Sequence, residues 1–365
     1  MLKVAVITAL WYEDKFLPAL FDSLGRTDYP RDDWEIIMID NRNSAVTREW
    51  IAKNVEPNSG VTLPKFRLLS TEKNLGFAGG NNACIRAALE DGCEAVYLLN
   101  EDARGEPGFL KQAAIRLASD PSIGAVQSFL ALDPPERGMN SIGNRLHFLG
   151  FSYCDGYRLS KADAAGLLRV RYIEDRDLKV AAVSGAAALL SAEALKKVGL
   201  FDENYHLYHE DLDLSLRMRE AGYKLVIEPT SVAYHRYDFS RSAEKNYWME
   251  RNRYRLLLEH LRFPTLAVLL PGLVASELGL IAMGAMNGSL GARLKAYGNI
   301  LDPRNWREIA AKRRSVFALR RVSDRELLAP AVSSIDYQEV AGPAMKIINP
   351  LMAAYWRVAR RIIKW

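Results

Sequence analysis

Three groups of acids and one histidine stand where apolar runs give way to polar turns. Asp40 closes the run Ile36-Ile37-Met38-Ile39, where a carboxylate can accept from a ribose hydroxyl or a base NH, or else cap the helix that follows. Asn100-Glu101-Asp102 closes Tyr97-Leu98-Leu99. Clustered carboxylates at a strand end suit a hard divalent cation that keeps waters and takes its remaining ligands from substrate phosphates, with Asp102 the preferred ligand; a solvated acidic turn is the alternative. Glu210, Asp211 and Asp213 crowd the start of a helix whose apolar face is Leu212, Leu216 and Met218. The helix dipole alone favours first-turn acids. A carboxylate beside another in a cleft, however, can acquire the raised pKa of a general base, and only one of the three need be catalytic. His235, just past a strand-like segment, reads as structural unless it converges on Asp102, when imidazole and carboxylate together would suit Mn2+ better than Mg2+.

A glycine-rich stretch, Asn74-Leu75-Gly76-Phe77-Ala78-Gly79-Gly80-Asn81-Asn82, opens another helix. Its glycines permit close backbone approach and positive φ, and the helix N-terminus offers NH groups to an anion such as a diphosphate. It matches neither the Walker loop nor the dinucleotide fingerprint.

Positioning these groups requires a layered frame. From Met1 to about Tyr237 short β-rich runs alternate with helical patterns, which implies an α/β fold with a largely parallel sheet. The expected strands are 3–8, 34–40, 66–70, 95–100, 125–129, 181–190 and 224–228. The expected helices are 15–24, 46–55, 79–91, 107–119, 192–198 and 212–221. Residues 130–177 lack steady periodicity and read as an excursion with a hairpin or two, carrying Tyr153 and Tyr157, that could shape a substrate cleft. Ligands of open α/β sheets bind beyond the carboxyl ends of the strands, which adds Thr8 and Ala9 to the candidate ligand-site residues.

These motifs together resemble the bacterial rhamnosyltransferase-like members of glycosyltransferase family 2, which have the Rossmann-like GT-A fold. The matching segments are 74–82, Leu98-Leu99-Asn100-Glu101-Asp102, the Gly185 segment 183–190, and Gly199-Leu200-Phe201-Asp202-Glu203 running into His209–Arg217. The resemblance covers roughly residues 3–260 and implies that Asp40 holds the donor nucleotide, Asp102 binds the metal and Asp211 deprotonates the acceptor, with Glu210 next in line. It places Gly185 and Glu210 at the acceptor and Thr8, Ala9, Asn74, Gly76, Phe77, Gly79, Gly80, Asn81 and Asn100 at the donor. His235 matches a histidine that completes the metal site in some relatives. Arg251, of an Arg251-Asn252 pair, would clamp the leaving diphosphate. Two departures stand out: Asn100 replaces the usual first acid of the metal motif, and Glu101 stands where relatives often have proline. The implied cofactor is Mn2+ or Mg2+, the donor dTDP-rhamnose or a UDP-sugar, and the acceptor a saccharide or lipid-linked saccharide of the cell surface.

The implied division is a GT-A domain over 1–240 and a helical C-terminal extension over 241–365. In the extension, residues 242–261 read as a charged helix. Residues 263–287 are long enough to span a bilayer, but Pro271, Glu277 and repeated small residues point to interfacial or buried helices. Residues 312–321 are strongly basic. Leu351, Tyr355, Val358, Ile362 and Trp365 form one helical stripe with Arg357, Arg360, Arg361 and Lys364 on the other faces, the pattern of a helix lying in an anionic membrane interface. A stripe packed on the protein, or on a partner subunit in a homodimer, is the alternative.

Composition agrees. The 365 residues carry a formal charge of only +5, which a membrane surface explains better than nucleic acid does. Three cysteines and an N-terminus without a secretory pattern point to a cytosolic protein peripheral to the inner membrane face. Two other classes are a sugar-1-phosphate nucleotidyltransferase, which lacks its basic Gly-rich N-terminal signature here, and a non-catalytic carbohydrate-binding protein, disfavoured by Asp102, Asp211 and His235 occurring together.

Overall fold

The computed structural model describes residues 1–12, 14–237, 242–335 and 345–365. The expected boundary at 240/241 lies outside the described residues. Strands β1 (Val4–Leu10), β2 (Trp34–Asp40), β3 (Lys65–Ser70) and β4 (Ala95–Leu99) run parallel, in the order β3-β2-β1-β4. Every residue of β2 and β4 is buried, as a sheet covered on both faces requires.

Beyond β4 the sheet becomes mixed. After β5 (Ala103–Gly105), β6 (Ile123–Leu132) and β7 (Met139–Ser141) comes the small hairpin β8 (Asn144–Leu146) and β9 (Ser152–Cys154). β10 (Ala187–Ser191) then inserts antiparallel between β4 and β6, and β11 (Lys224–His235) lies parallel to β6. Strand β10 is shorter than the run 181–190 implied because its approach is hydrogen-bonded elsewhere. The NH groups of Val183, Ser184 and Gly185 donate to Ser215 Oγ, Gln127 Oε1 and Asp211 Oδ2 instead of to a neighbouring strand. Strand β11 is longer than expected: a register shift between Glu228 and Val232 carries it past Pro229 to His235.

Helices α1 (Leu17–Gly25), α2 (Ala45–Asn54) and α4 (Phe109–Ala118) cover one sheet face, and α3 (Gly76–Glu90), α6 (Ala192–Val198) and α7 (Glu210–Glu220) the other. The excursion holds an unexpected helix, α5 (Lys161–Glu174). Only Ala164 and Leu168 of α5 are buried, too few to make an apolar period, although the Ser160 hydroxyl accepting from the Asp163 NH is a legible N-cap.

The remaining helices are α8 (Ala243–His260), α9 (Phe263–Asn287), α10 (Leu290–Leu301), α11 (Pro303–Leu319), α12 (Asp324–Leu327) and α13 (Met345–Ile362). Helices α8, α9, α12 and α13 share a core with the sheet domain, in which Leu212 and Leu216 of α7 pack with Leu256, Leu269, Leu327, Trp356 and, on the β8–β9 flank, Leu146, Phe148 and Leu149. The basic segment 312–321 is therefore turned largely inward, contrary to a membrane role. Lys312 reaches Asp202 and Asp213, Arg313 donates to the Leu258 carbonyl, and Arg320 pairs with Asp324.

Candidate active site

Strand register brings the first expected pair together. His235 sits opposite Ala103 where β11 meets β5, so the preceding Asp102 falls beside the imidazole, with Oδ1 3.1 Å from Nε2. Asn140 Oδ1 lies 2.9 Å from Nδ1 and Asn100 Nδ2 3.4 Å from Nε2. An Asn140 that accepts from Nδ1–H leaves the Nε2 lone pair facing Asp102, the orientation an imidazole ligand needs. One nitrogen and one carboxylate oxygen fit a divalent cation that completes its shell with water and phosphate. No group of three His, Cys, Asp or Glu side chains suited to a metal occurs among the described residues.

Glu101 takes a separate part. Its nearly buried carboxylate accepts from the Trp11 and Tyr12 NH groups at 2.8–3.2 Å and ties the β1 exit to the β4 exit. Burial pushes its pKa up to about 7, against those two amides.

Helix α7 supplies the second group. A cleft of about 240 Å³ is lined by Asp211, Glu210, Gly185, Asn100, His235 and Phe77. Asp211 accepts from the Gly185 NH at 3.3 Å and the Leu212 NH at 2.8 Å. Gly185 is tightly packed, because a Cβ would stand 3.1 Å from the Phe77 ring. Burial raises the pKa of Asp211, and burial together with the Asp211 charge raises that of Glu210. Two adjacent carboxyls so placed resist double ionisation, and the ionised one is a stronger base than an ordinary carboxylate. Asp213 does not share this role: it faces away into a wholly buried cluster with Arg217, His260 and Lys312, which holds its carboxyl well below the usual range against burial.

The backbone leading into α7 is unusual. His206, Tyr208 and His209 all have φ between 56° and 67°, a left-handed region costly for residues with a side chain. Asn252 holds the run in place by donating from Nδ2 to the carbonyls of Tyr205, Leu207 and Tyr208 at 2.7–2.9 Å. Arg251 is bound to the carbonyl of Asn204 at 2.6 Å and to Asn299 at 3.1 Å, and it does not line the cleft. The residue expected as the diphosphate clamp thus has its Nε and Nη1 engaged by α10 and the loop.

The glycine-rich segment packs closely on its neighbours. Only Gly76 has positive φ, and its missing Cβ is where the His206 ring sits, 2.5 Å away at Nδ1. Leu75 fills the space at Gly79, and Ala9 and Asn41 that at Gly80. The first NH groups are taken too: Gly76 donates to Asn74 Oδ1, Phe77 to the His206 carbonyl and Leu75 to Asn41 Oδ1. Asn81 is buried and donates to the Phe77 carbonyl. Of this segment only Phe77 lines the cleft; Gly76 and residues 78–82 are buried, and Asn74 is exposed. Asp40 is fully buried and accepts from Ser44 NH at 2.8 Å and Arg48 at 3.2 Å, the capping arrangement of its own turn. Thr8 is also fully buried, with its hydroxyl unpartnered.

The far wall comes from the excursion expected to shape a cleft, including its Tyr153 and Tyr157. It is built by Asn144, Ser152, Tyr153, Cys154 and Tyr157 of the excursion, with Tyr237 edge-on against Tyr157 and Tyr208 also lining the cleft. Aromatic rings around paired carboxylates suit a sugar, whose CH faces pack on rings while its hydroxyls bond to polar groups.

A family model described as glycosyl transferase family 2 matches residues 5–199. The chain belongs to glycosyltransferase family 2. Among its relatives is an O-antigen biosynthesis protein of Myxococcus xanthus, 24% identical over 69% of this chain and 19% of that protein. Another is an N-acetylglucosaminyl-diphospho-decaprenol L-rhamnosyltransferase of Mycobacterium tuberculosis, 27% identical over 47% of this chain and 59% of the relative. The chain thus spans a fifth to three-fifths of the length of these relatives. A mannosyltransferase from Pyrobaculum calidifontis, solved with GDP-mannose and Mn2+, shares the fold at 20% identity and a TM-score of 0.50, over 87% of this chain and 86% of that one. GalNAc-T7, solved with UDP, GalNAc and Mn2+, does so at 14% identity and a TM-score of 0.54, over 71% and 48%. The family-2 chain therefore has the GT-A architecture, with a mixed central sheet and a helical C-terminal region.

Proposed function

We propose that this protein is an inverting glycosyltransferase that moves a sugar from a nucleoside diphosphate to a hydroxyl of a saccharide or lipid-linked saccharide in cell-surface polysaccharide synthesis. The observation that carries the reading is the convergence of Asp211 and Glu210 with Asn100 and His235 on one cleft, with Asp102 behind the histidine. Asp211 accepts the proton of the acceptor hydroxyl while Gly185 NH and Leu212 NH hold its carboxylate in place. The acceptor oxygen forms the new bond to the anomeric carbon from the face opposite the nucleotide, and the electron pair of the breaking bond leaves with the diphosphate. A divalent cation held by Asp102 and His235 would neutralise charge on that leaving group. Phe77, Tyr153 and Tyr157 pack the sugar rings and exclude water.

The Mycobacterium relative supports a rhamnosyl donor and a lipid-linked acceptor, and the Mn2+-containing neighbours support the cation. Residues 242 onward are read as a helical part of the same enzyme, since they contribute about half of the buried core beneath α7. The setting is the cytoplasmic face of the membrane.

The experiment is transfer and donor binding measured side by side. Asp211→Asn keeps nucleotide binding and loses transfer by about 10²–10⁴-fold, and Glu210→Gln loses less. Wild-type transfer by Asp211→Asn would remove it as the base.

A further inference from the structure

Helix α9 was expected to be interrupted, buried or interfacial; it is one continuous helix, and its apolar residues point outward. Only 6% of its most apolar 18-residue window is buried. Phe263, Leu270, Val274, Leu278 and Met286 are 50–88% exposed on the side away from the protein. By length and composition it could cross a membrane, about 37 Å at 1.5 Å per residue. Its inner side argues for another arrangement. Mid-helix Glu277 is ion-paired to Arg253 of α8 and Arg293 of α10 and accepts from Tyr297 at 2.6 Å, so α9 is fastened lengthwise to the protein by charges that a spanning helix would carry into hydrocarbon.

Helix α13 adds a second exposed face. The expected stripe is divided: Tyr355 donates to the Val268 carbonyl of α9 and Trp365 to Thr265 at 2.7 Å, whereas Leu351, Val358 and Ile362 are 49–66% exposed. At 100° per residue these three lie on the Tyr355 flank, next to α9, and extend its apolar face. Arg357, Arg360, Arg361 and Lys364 are exposed on the opposite flank, with no acidic partner among the described residues. The inner side of α13 packs on the turn of the β8–β9 hairpin. Trp356 stacks on Phe148 at 4.9 Å and 10°, and Val332 pairs with the same β8–β9 flank.

We propose that α9 and α13 together form a single in-plane seat inserted into one leaflet of an anionic bilayer, with the cations of α13 at the headgroups and the acceptor-side hairpin β8–β9 resting on the seat. This gives the transferase reading its membrane partner, but vesicle binding is measured without catalysis, so either can fail alone. The full chain is floated with phosphatidylcholine vesicles with and without phosphatidylglycerol, with thermal melting as the control for folding. Binding requires the anionic lipid and is released by alkaline extraction. Leu270→Glu with Leu278→Glu abolishes flotation at an unchanged Tm. Replacing the four α13 cations by Gln weakens binding to anionic vesicles by roughly fivefold for each charge. The proposal is overturned by wild-type flotation of the Glu variant, by resistance to alkaline extraction, which would mean a spanning helix, or by a soluble dimer that the Glu variant dissociates and that ignores vesicles.

Discussion

His260 is where the fold can be tested most directly. Its ring, 1% exposed, bridges two carboxylates of the proposed catalytic helix, with Nε2 3.0 Å from Asp213 and Nδ1 3.0 Å from Glu220. Arg217, Lys312 and Arg320 surround the same cluster. Burial alone would lower the imidazole pKa, but the two carboxylates outweigh it and push it up to about 9 from 6.5. A shift of that size corresponds to about 3 kcal/mol of stability at roughly 1.4 kcal/mol per pKa unit. Because the folded-state value is raised, the contribution is fully present below about pH 6.5 and disappears as pH rises through 9. Substituting His260→Leu leaves Glu220 with Arg320, at 4.0 Å, as its only side-chain ion pair among the described residues, and breaking such a buried pair costs about 3–5 kcal/mol. At about 2 cal/mol/K of unfolding entropy per residue, the melting temperature falls by roughly 4–6 °C. Calorimetric melts of both proteins across that pH range provide the assay. The gap between them is widest at the acid end and closes towards the alkaline end. Parallel curves would refute a charged His260 in the folded state and the coupling of α8 to α7 with it.

Gly76→Ala places a methyl at φ 69° against the His206 ring and costs about 1–3 kcal/mol in melting experiments; a neutral result would mean that His206 does not fill that space. Arg251→Ala lowers Tm but leaves nucleotide-sugar KM within about twofold, since its guanidinium is held by Asn204 and Asn299, whereas a loss above tenfold would restore the diphosphate clamp. Asp102→Asn weakens Mn2+-dependent donor binding by at least about tenfold, read by calorimetric titration, and unchanged Mn2+ affinity would remove Asp102 as a ligand.

The frame was legible because burial on both faces writes a sheet strand as a continuous apolar run: β2 and β4 fall within one residue of their expected limits. So did Asp211, since acids before Leu212 and Leu216 mark a helix start whatever lies around it. Misreadings arose where a backbone group is satisfied by a distant side chain. The approach to β10 looks like strand until Ser215, Gln127 and Asp211 take its NH groups. The glycines at 76, 79 and 80 look like an anion cradle until His206, Leu75, Ala9 and Asn41 occupy it. Arg251-Asn252 looks like a ligand clamp until both side chains are found fastening the loop before Asp211.

Local pattern thus determined the type of most elements and the acids at their ends, because burial period and helix-start chemistry depend on neighbours in the chain. Only the tertiary structure decided which of those groups meet. The β5–β11 register set Asp102 against His235, and the fold of the 130–177 excursion supplied the aromatic wall facing Asp211. It also divided the basic tail, turning Lys312 and Arg320 inward to buried carboxylates and leaving the cations of α13 exposed. A charged side chain carries the same sign wherever it stands in the sequence, but whether it holds a core together or faces a membrane depends on the desolvated partner that folding brings to it.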